Sequence, residues 1–192
     1  MAPEARARVL REAARVIESN QPEITEWIIR ETGGVRPKAE FEVAIALGEL
    51  HHSAALLTQP IGQILPSSDP ERMSLARRVP VGVVGVITPW NVPPVLAMRS
   101  VAPALALGNA VVLKSDPQTP VSGGYLLARL FEEAGLPAGL LSVLPGGAEV
   151  GEALVTAPGT DGDVHRLVRR GPQGGRARGT LPQESFPGTG RQ

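Results

Sequence analysis

The stretch Val81-Gly82-Val83-Val84-Gly85-Val86-Ile87-Thr88-Pro89-Trp90-Asn91 decides the fold of this chain. It is a run of β-branched residues and glycines that stops abruptly at a proline, a tryptophan and an amide. Such a run predicts a fully buried parallel strand, because both faces of a strand are apolar when helices cover both sides of the sheet. Ligands of open α/β sheets bind just past the carboxyl ends of strands, so Asn91 becomes a candidate site residue.

Downstream of this strand the sequence alternates between strand and helix patterns. We predict strands at 81–87, 110–114 and 140–144, and helices at about 94–107, 119–134 and 149–156. Gly108 and Gly135 stand where helices should end, and Thr119-Pro120 has the form of an N-cap followed by proline at the first helical position. The alternation predicts a parallel sheet with right-handed crossovers, and therefore an α/β fold.

Upstream, three amphipathic helices and a hairpin are predicted. The helices cover 5–19, 23–32 and about 37–57, and the third is expected to bury Phe41, Ile45, Leu47 and Leu50. Gly33-Gly34 is a C-cap signal at the end of the second helix. Two short strands, 61–65 and 73–79, flank a Pro-Ser-Ser-Asp-Pro turn. Such a hairpin docks on another domain or adds to a partner's sheet.

Composition restricts the classes of function. The 192 residues carry 19 basic and 19 acidic side chains and no cysteine. This balance gives no reason to expect a nucleic acid or membrane partner, and no apolar run reaches the length of a membrane span, so we expect a cytoplasmic protein. Without cysteine, thiolate metal sites and a cysteine nucleophile are excluded from these residues. His51 and His52 cannot face the same side of a helix, and we interpret them as surface or packing histidines rather than metal ligands.

Three positions after strands could carry chemistry, and each has a structural alternative. The Asn91 amide could hold a developing oxyanion, or it could cap the helix that begins near Pro93 or Pro94. Lys114 ends the second strand, where its ammonium could donate to a ribose or phosphate or simply be solvated. Gly146-Gly147, followed by Gly151, form a glycine-rich turn that lets backbone N–H groups approach a pyrophosphate, although glycine turns are common. Asp116 has the pattern of a turn residue.

Read together, these residues resemble the N-terminal part of an aldehyde dehydrogenase. The resemblance covers roughly residues 1–161 and is most specific over 78–151. Its motifs are Val-Pro-Val-Gly-Val-Val-Gly-Val-Ile-Thr-Pro-Trp-Asn (79–91), Ala-Pro-Ala-Leu-Ala-Leu-Gly-Asn-Ala-Val-Val-Leu-Lys (102–114), Gln-Thr-Pro (118–120), Glu-Ala-Gly-Leu-Pro-Ala-Gly (133–139) and Leu-Pro-Gly-Gly (144–147). It implies N-terminal helices and an incomplete Rossmann-like parallel sheet.

The resemblance also implies roles for individual residues. Asn91 would be the catalytic amide that holds the oxyanion, and Ile87, Thr88, Pro89 and Trp90 would line the nicotinamide side of an NAD or NADP coenzyme. Lys114 would bind the adenosine ribose, and Gly147 and Gly151 would lie near the adenine end. The substrate would be an aldehyde, and the hairpin 61–79 would join subunits of a homo-oligomer. Pro117 stands where many members carry a ribose-binding glutamate, which leaves NAD and NADP both open. The Lys-Ser-Asp-Pro segment (114–117) is similar to that of aromatic-aldehyde members.

The last part of the sequence departs from this family. Residues 161–192 have no sustained hydrophobic period, which is typical of a disordered tail. The family's Phe-Thr-Gly-Ser turn, its Glu-Leu-Gly-Gly segment and its cysteine nucleophile are missing. However, codons for Val164–Val168 can be chosen that give Phe-Thr-Gly-Ser when read one base later, and codons for Phe186–Arg191 that give Ser-Leu-Glu-Leu-Gly. We therefore expect a frame change between about Asp161 and Val164, followed by an early stop.

These interpretations divide the chain into four parts. They are a helical segment (1–60), an oligomerisation-type hairpin (61–80), a partial NAD(P)-binding Rossmann-like domain (81–160) and a tail outside the family (161–192). The functional expectation is a fragment of an NAD(P)-dependent aldehyde dehydrogenase that is inactive by itself, because the thiolate and the general-base glutamate are missing. The alternative is a non-catalytic nucleotide-binding or oligomerisation module.

Overall fold

The computed structural model describes residues 1–157 and the backbone of residues 167–168. Its N-terminal part consists of three helices, α1 (Pro3–Ser19), α2 (Gln21–Thr32) and α3 (Arg36–Leu56). Gly33, with φ of 68°, ends α2 in the left-handed conformation that a C-cap glycine supplies. The three predicted helices are thus confirmed within two residues at each end. None of the helices in the described residues is both long and apolar enough to cross a membrane.

One prediction for α3 is wrong. Phe41 is 65% exposed, whereas its neighbour Glu42 is fully buried. The burial of Leu50 is confirmed, and Ile45 and Leu47 are only half-buried. The hydrophobic period of a helix does not predict a buried glutamate. A carboxylate is buried only where another group compensates its charge, and the period does not reveal that group. Lys38, one turn earlier, is that partner, as described below.

The predicted hairpin is present. β1 (Gly62–Leu65) and β2 (Ser74–Arg77) pair antiparallel, with Ile64 opposite Leu75. Both side chains are exposed, by 71% and 65% respectively. The hairpin therefore presents apolar side chains at the surface of the described chain.

The remaining strands form one parallel sheet. They are β3 (Val83–Ile87), β4 (Ala110–Lys114), β5 (Leu141–Val143) and β6 (Leu167–Val168), in the order β5-β4-β3-β6. The helices between them are α4 (Pro93–Ala106), α5 (Leu126–Glu133) and α6 (Ala148–Thr156). This confirms the predicted strand and helix series. The predicted disordered tail, 161–192, lies outside the described residues except for the backbone of β6.

The two faces of the sheet are covered unequally. On one face, Val84 and Val86 of β3 are buried against a core that α1, α3, α4 and α5 complete. On the other face α6 packs on β3, where a Cβ added to Gly85 would lie 3.4 Å from the Leu154 side chain. Val83 is nevertheless 48% exposed. The prediction that β3 is fully buried is therefore wrong, because only one of its faces is covered throughout in the described chain.

The amino edge of the sheet is closed by Asn109, which directly precedes β4. Its Oδ1 accepts hydrogen bonds from the backbone N–H groups of Val81 (2.8 Å) and Gly82 (3.1 Å). Its Nδ2 donates to the carbonyl of Ala104 near the end of α4 (3.2 Å). Asn109 is 7% exposed. One buried amide thus connects the end of α4 to the entry of β3.

The predicted helix 119–134 begins differently from the sequence expectation. Val121–Tyr125 is a π-helical turn, and α5 continues from it. Thr119 is not its cap, since its buried Oγ1 has no hydrogen-bond partner among the described residues. Instead the Glu31 carboxylate, from α2, accepts hydrogen bonds from the N–H groups of Val121 (2.9 Å) and Ser122 (2.7 Å) and from the Ser122 hydroxyl. A carboxylate 90 residues away in sequence replaces the local cap.

Candidate functional site

The carboxyl ends of β3 and β4 lie side by side. Ile87 and Lys114, the last residues of the two strands, are register partners. The N–H of Thr88 donates to the Lys114 carbonyl (3.1 Å), which extends the pairing by one residue. Because the strands are parallel, both chains leave the sheet at the same edge. The edge therefore brings the Thr88–Asn91 loop, which follows β3, next to the segment that follows β4.

Asn91 lies in this loop, two residues before α4. The N-cap of α4 is Val92, and the cap makes no side-chain hydrogen bond, so the alternative that Asn91 caps this helix is wrong. Asn91 is exposed, and its side-chain amide makes no hydrogen bond within the described residues. Its backbone carbonyl accepts a hydrogen bond from Lys38 Nζ (2.9 Å). The loop thus holds the Asn91 backbone while leaving two amide hydrogens available to a ligand.

Lys114 is placed differently from a solvated lysine at a strand end. The residue is only 6% exposed, yet its ammonium has no hydrogen-bond or ion-pair partner in residues 1–157. Its positive charge contributes to holding the pKa of Glu149 below the usual value, after the hydrogen bonds that the Glu149 and Gly147 backbone N–H groups donate to that carboxylate. A lysine that is largely buried as a residue, with an unpaired ammonium at the ligand edge of a sheet, offers a donor that a bound hydroxyl or phosphate can use.

The glycines around α6 have distinct local roles. Gly146 has φ of 143°, and a Cβ there would clash with the Val150 side chain, so this turn requires glycine. The N–H of Gly147 donates to Glu149 Oε1 (2.9 Å) and is therefore already engaged. A Cβ on Gly151 would lie 3.7 Å from Ile87 Cδ1, an ordinary contact. The structure thus brings Gly151 next to the end of β3, while the Gly147 amide is occupied by a side chain of the same helix.

Two buried hydroxyls at this edge lack partners. Thr88 Oγ1 and Thr119 Oγ1 are buried and make no hydrogen bond in the described part of the chain. Asp116, between them in sequence, forms the predicted turn, since its carboxylate accepts from the N–H of Gln118 (2.9 Å) and its carbonyl from the N–H of Thr119 (3.0 Å). Buried polar groups in proteins are nearly always satisfied, so two orphans at one edge mark it as unusual.

The sequence interpretation missed the pair that supports the Asn91 loop. Lys38 Nζ forms an ion pair with Glu42, one turn further along α3, as well as the bond to Asn91. Burial raises the pKa of Glu42, and the hydrogen bond and charge of Lys38 oppose that shift only in part. The Lys-x-x-x-Glu spacing is a signal for a helical ion pair, but spacing does not reveal that the carboxylate is buried or that the lysine reaches another loop.

The two histidines named above take no part in this edge. His51 and His52 are both exposed near the end of α3. No group of three or more histidine, aspartate or glutamate side chains that could hold a metal ion occurs in the described residues.

Comparison with known proteins places this geometry in context. A model of the aldehyde dehydrogenase family matches residues 1–162. A vanillin dehydrogenase of Amycolatopsis sp. is 59% identical over 150 residues, which are 78% of this chain and 31% of that protein. An NAD(+) benzaldehyde dehydrogenase of Pseudomonas putida is 54% identical over 154 residues, 80% of this chain and 32% of that protein.

Solved structures give the same picture of the fold. The crystal structure of an NAD-dependent benzaldehyde dehydrogenase from Corynebacterium glutamicum superposes with a TM-score of 0.78 at 45% identity, covering 81% of this chain and 34% of that one. A salicylaldehyde dehydrogenase from Pseudomonas putida G7, solved with salicylaldehyde, gives 0.80 at 34% identity and covers 86% and 34% of the two chains. The present chain spans about a third of the length of the curated relatives it matches.

Proposed function

The chain belongs to the aldehyde dehydrogenase family, and we propose that it is the N-terminal part of an NAD(P)-dependent enzyme that oxidises an aromatic aldehyde to a carboxylic acid. The observation that carries the proposal is the exposed, unbonded Asn91 amide at the carboxyl edge of β3 and β4. The substrate class is supported by the names of two similar proteins, a vanillin and a benzaldehyde dehydrogenase.

The proposed role of Asn91 is electrostatic. When a thiolate adds to an aldehyde, a carbon–sulfur bond forms and the carbonyl oxygen gains negative charge. Donors that are already oriented toward that oxygen stabilise the charge without reorganisation. The free Asn91 amide supplies such a donor, and the Lys38 bond fixes the backbone that carries it.

The proposed coenzyme contacts are those of the carboxyl edge. The unpaired Lys114 ammonium fits a ribose hydroxyl or phosphate oxygen, and residues 87–90 would border the nicotinamide. Gly151 is proposed to border the adenine end from the resemblance alone, since a Cβ there would make only an ordinary contact with Ile87 and nothing in the described structure requires glycine. The Gly147 N–H fits less well, because Glu149 already accepts its hydrogen. The bound coenzyme supplies hydride acceptance.

We further propose that the reading frame of the gene changes near Asp161. The family match ends at residue 162, and both missing motifs can be encoded one base later in the order in which the family requires them. The 192 residues contain no cysteine, so they cannot form a thiohemiacetal by themselves. The gene sequence tests this directly, since codons that do not give Phe-Thr-Gly-Ser and Leu-Glu-Leu-Gly one base later contradict the frame change.

Activity measurements test the catalytic proposal. The 192-residue chain should produce no NADH or NADPH from vanillin or benzaldehyde, whereas the product of the gene read in the other frame after Asp161 should. In that product, Asn91→Ala should lower kcat about 10²- to 10³-fold, the usual effect of removing one oxyanion donor. Lys114→Met should instead raise the KM for the coenzyme. An Asn91→Ala product with unchanged kcat would refute the role of the amide.

A second candidate function rests on the hairpin. Exposed apolar side chains concentrate on and beside β1 and β2, namely Ile61, Ile64, Leu65, Met73, Leu75 and Val79. This supports a module that associates through the hairpin, with or without nucleotide bound, because contiguous exposed apolar patches are typical of interaction sites. Concentration-dependent association that is lost in Ile64→Lys and kept in Gln63→Lys, its neighbour on the opposite face, would favour it.

A further inference from the structure

The first turn of α3 contains a lysine whose contacts are unusual for that position. Cations near a helix N-terminus oppose the helix dipole, so Lys38, the third residue of α3, is unfavourable for the helix itself. Its side chain is 35% exposed and makes two contacts outside its own turn. One is the ion pair with Glu42, and the other is the 2.9 Å hydrogen bond to the Asn91 carbonyl.

Glu42 is equally unfavourable when considered alone. Its side chain is fully buried, and apart from the Lys38 ion pair neither carboxylate oxygen has a hydrogen-bond partner among the described residues. Burial of a carboxylate is costly unless a cation compensates it, and Lys38 is the cation in contact. The two residues therefore compensate each other only while the lysine is held over the glutamate.

We propose that Lys38 and Glu42 form a tether that positions the Asn91 loop, with Glu42 orienting the lysine and Lys38 holding the Asn91 carbonyl. The loop is short, from Thr88 at the end of the sheet pairing to Pro93 at the start of α4. Its amide-bearing residue has no side-chain bond to fix it within the described chain. The Lys38 bond spans 53 residues in sequence and anchors this loop to the rigid α3.

The tether rests on the proposed function, because it matters for catalysis only if Asn91 acts as the oxyanion donor. Lys38 and Glu42 are positioning residues, since they touch the Asn91 backbone rather than a substrate. Loss of the tether leaves the amide present but less well oriented, and donors that must reorganise stabilise a developing charge less. Because Lys38 contacts the Asn91 backbone carbonyl, the side-chain amide itself stays unbonded within the described residues.

The test measures loop order in the full 192-residue chain at low micromolar concentration. The N–H groups of Thr88 and Leu96, on either side of the loop, donate to the Lys114 and Val92 carbonyls (both 3.1 Å). Their hydrogen exchange, read by mass spectrometry, reports opening of the loop and does not depend on catalysis. In Lys38→Met, which keeps the aliphatic stem, exchange in this segment should rise about two- to tenfold, the factor expected for one hydrogen bond. Lys38→Arg should restore slow exchange, and Glu42→Gln should give an intermediate increase.

Two controls separate the tether from general loosening of α3. Arg36→Met lies in the same turn and Glu40→Gln on the exposed face of the helix, and neither should change exchange in the loop. Fluorescence of Trp90, which is 49% exposed, in a Trp27→Phe background gives a second signature that should shift in Lys38→Met and return in Lys38→Arg.

Unchanged exchange and fluorescence in Lys38→Met would overturn the tether, and so would an equal effect of Arg36→Met. These readouts do not depend on catalysis. Failure of aldehyde oxidation by the product read in the other frame would contradict the proposed function and leave the exchange result standing.

Discussion

The two edges of the sheet treat their polar groups in opposite ways. At the amino edge, Asn109 satisfies the N–H groups of Val81 and Gly82 and uses its own amide hydrogen on Ala104. At the carboxyl edge, Thr88 Oγ1 and the Lys114 ammonium have no partner in the described chain. The chain thus satisfies the polar groups of the amino edge itself, whereas polar groups at the carboxyl edge stay unsatisfied in the described residues, on the side where open α/β sheets bind ligands.

The largest effect on stability should come from substitution at the amino edge. Asn109→Ala removes three hydrogen bonds at a residue that is 7% exposed. It leaves the N–H groups of Val81 and Gly82 unpaired, while the Ala104 carbonyl keeps its bond from the Asn109 backbone N–H. We expect it to lower the free energy of unfolding by about 3 kcal/mol, at roughly 1 kcal/mol per bond. Urea denaturation followed by circular dichroism measures this.

Two variants control that measurement. Asn109→Asp keeps the acceptor for Val81 and Gly82, but it replaces the donor to Ala104 with an oxygen of a buried carboxylate, so it should lose more than about 1 kcal/mol, the value of the missing bond alone. Asn91→Ala, at the carboxyl edge, should change stability by less than about 0.5 kcal/mol, because the exposed Asn91 amide makes no hydrogen bond within the described residues. Equal losses at the two asparagines would show that the edges do not differ as described.

The next largest effect on stability is expected at Glu31, because its carboxylate satisfies polar groups near the carboxyl edge. Glu31 satisfies the first N–H groups of the π-helical turn, those of Val121 and Ser122. Glu31→Ala leaves both unpaired, together with the Ser122 hydroxyl. It should cost about 2 kcal/mol, less than at the buried Asn109, because Glu31 and Val121 are only partly buried and water can replace some of the lost bonds. Glu31→Gln keeps one acceptor oxygen and should cost about half as much. Glu26→Ala, also on α2, removes only partly exposed ion pairs with Arg30 and Arg36 and should cost less than about 1 kcal/mol.

Much of this architecture could be predicted from the sequence. The glycine-punctuated run before Asn91, the C-cap glycines and the strand and helix alternation rest on local chemistry, and β4 was predicted to the residue. The hairpin also follows from local turn chemistry. The positions of Asn91, Lys114 and the Gly146-Gly147 turn after strands follow from the sequence pattern. Ile87–Trp90 as coenzyme contacts and the specific roles of all these residues came from the resemblance to a family, and those roles stay predictions.

What the sequence could not give depends on contacts between distant segments. Glu31 caps a turn 90 residues away, and Lys38 reaches a loop 53 residues away. Neither contact leaves a periodic signal, and α3 shows the consequence. The pattern favoured burial of Phe41, whereas the ion pair with Lys38 allows Glu42 to take the buried position. In α3 an ion pair within the helix thus overrides the hydrophobic pattern, and the contact of its lysine with the distant Asn91 loop places the pair beside the proposed site.

Glu42 should also make the stability of the chain depend on pH. The sign of this dependence distinguishes the Lys38–Glu42 pair, which supports the carboxyl edge, from ordinary surface ion pairs. Burial raises its pKa in the folded state above the ordinary value of 4.5. The folded chain therefore binds more protons than the unfolded chain between the two pKa values, and its contribution to stability is full at low pH and lost as pH rises through the folded pKa. Denaturant midpoints measured from pH 4 to 8 should fall with rising pH relative to Glu42→Gln.

A surface pair gives the opposite sign and serves as control. Arg129 lowers the pKa of Glu23, mainly through their hydrogen bond, so that pair stabilises above the unfolded pKa and loses its contribution as pH falls through the folded pKa. Because both side chains are about half exposed, its effect should be small. A rising rather than falling difference between the native chain and Glu42→Gln would contradict the assignment to a buried carboxylate.

The smallest effect is expected at the orphan hydroxyls, and it bears most directly on the comparison of the edges. Thr88→Val exchanges an unpartnered Oγ1 for a methyl group of similar volume, so no hydrogen bond is lost and the desolvated hydroxyl is removed. Stability should change by less than about 0.5 kcal/mol or rise slightly. Thr119→Val should behave alike, since its Oγ1 is also buried without a partner. Ser122→Ala, whose hydroxyl does bond to Glu31, is the matched variant that should lose stability. If Thr88→Val costs as much as Ser122→Ala, the Thr88 hydroxyl has a partner in solution, and the carboxyl edge is as saturated as the amino edge.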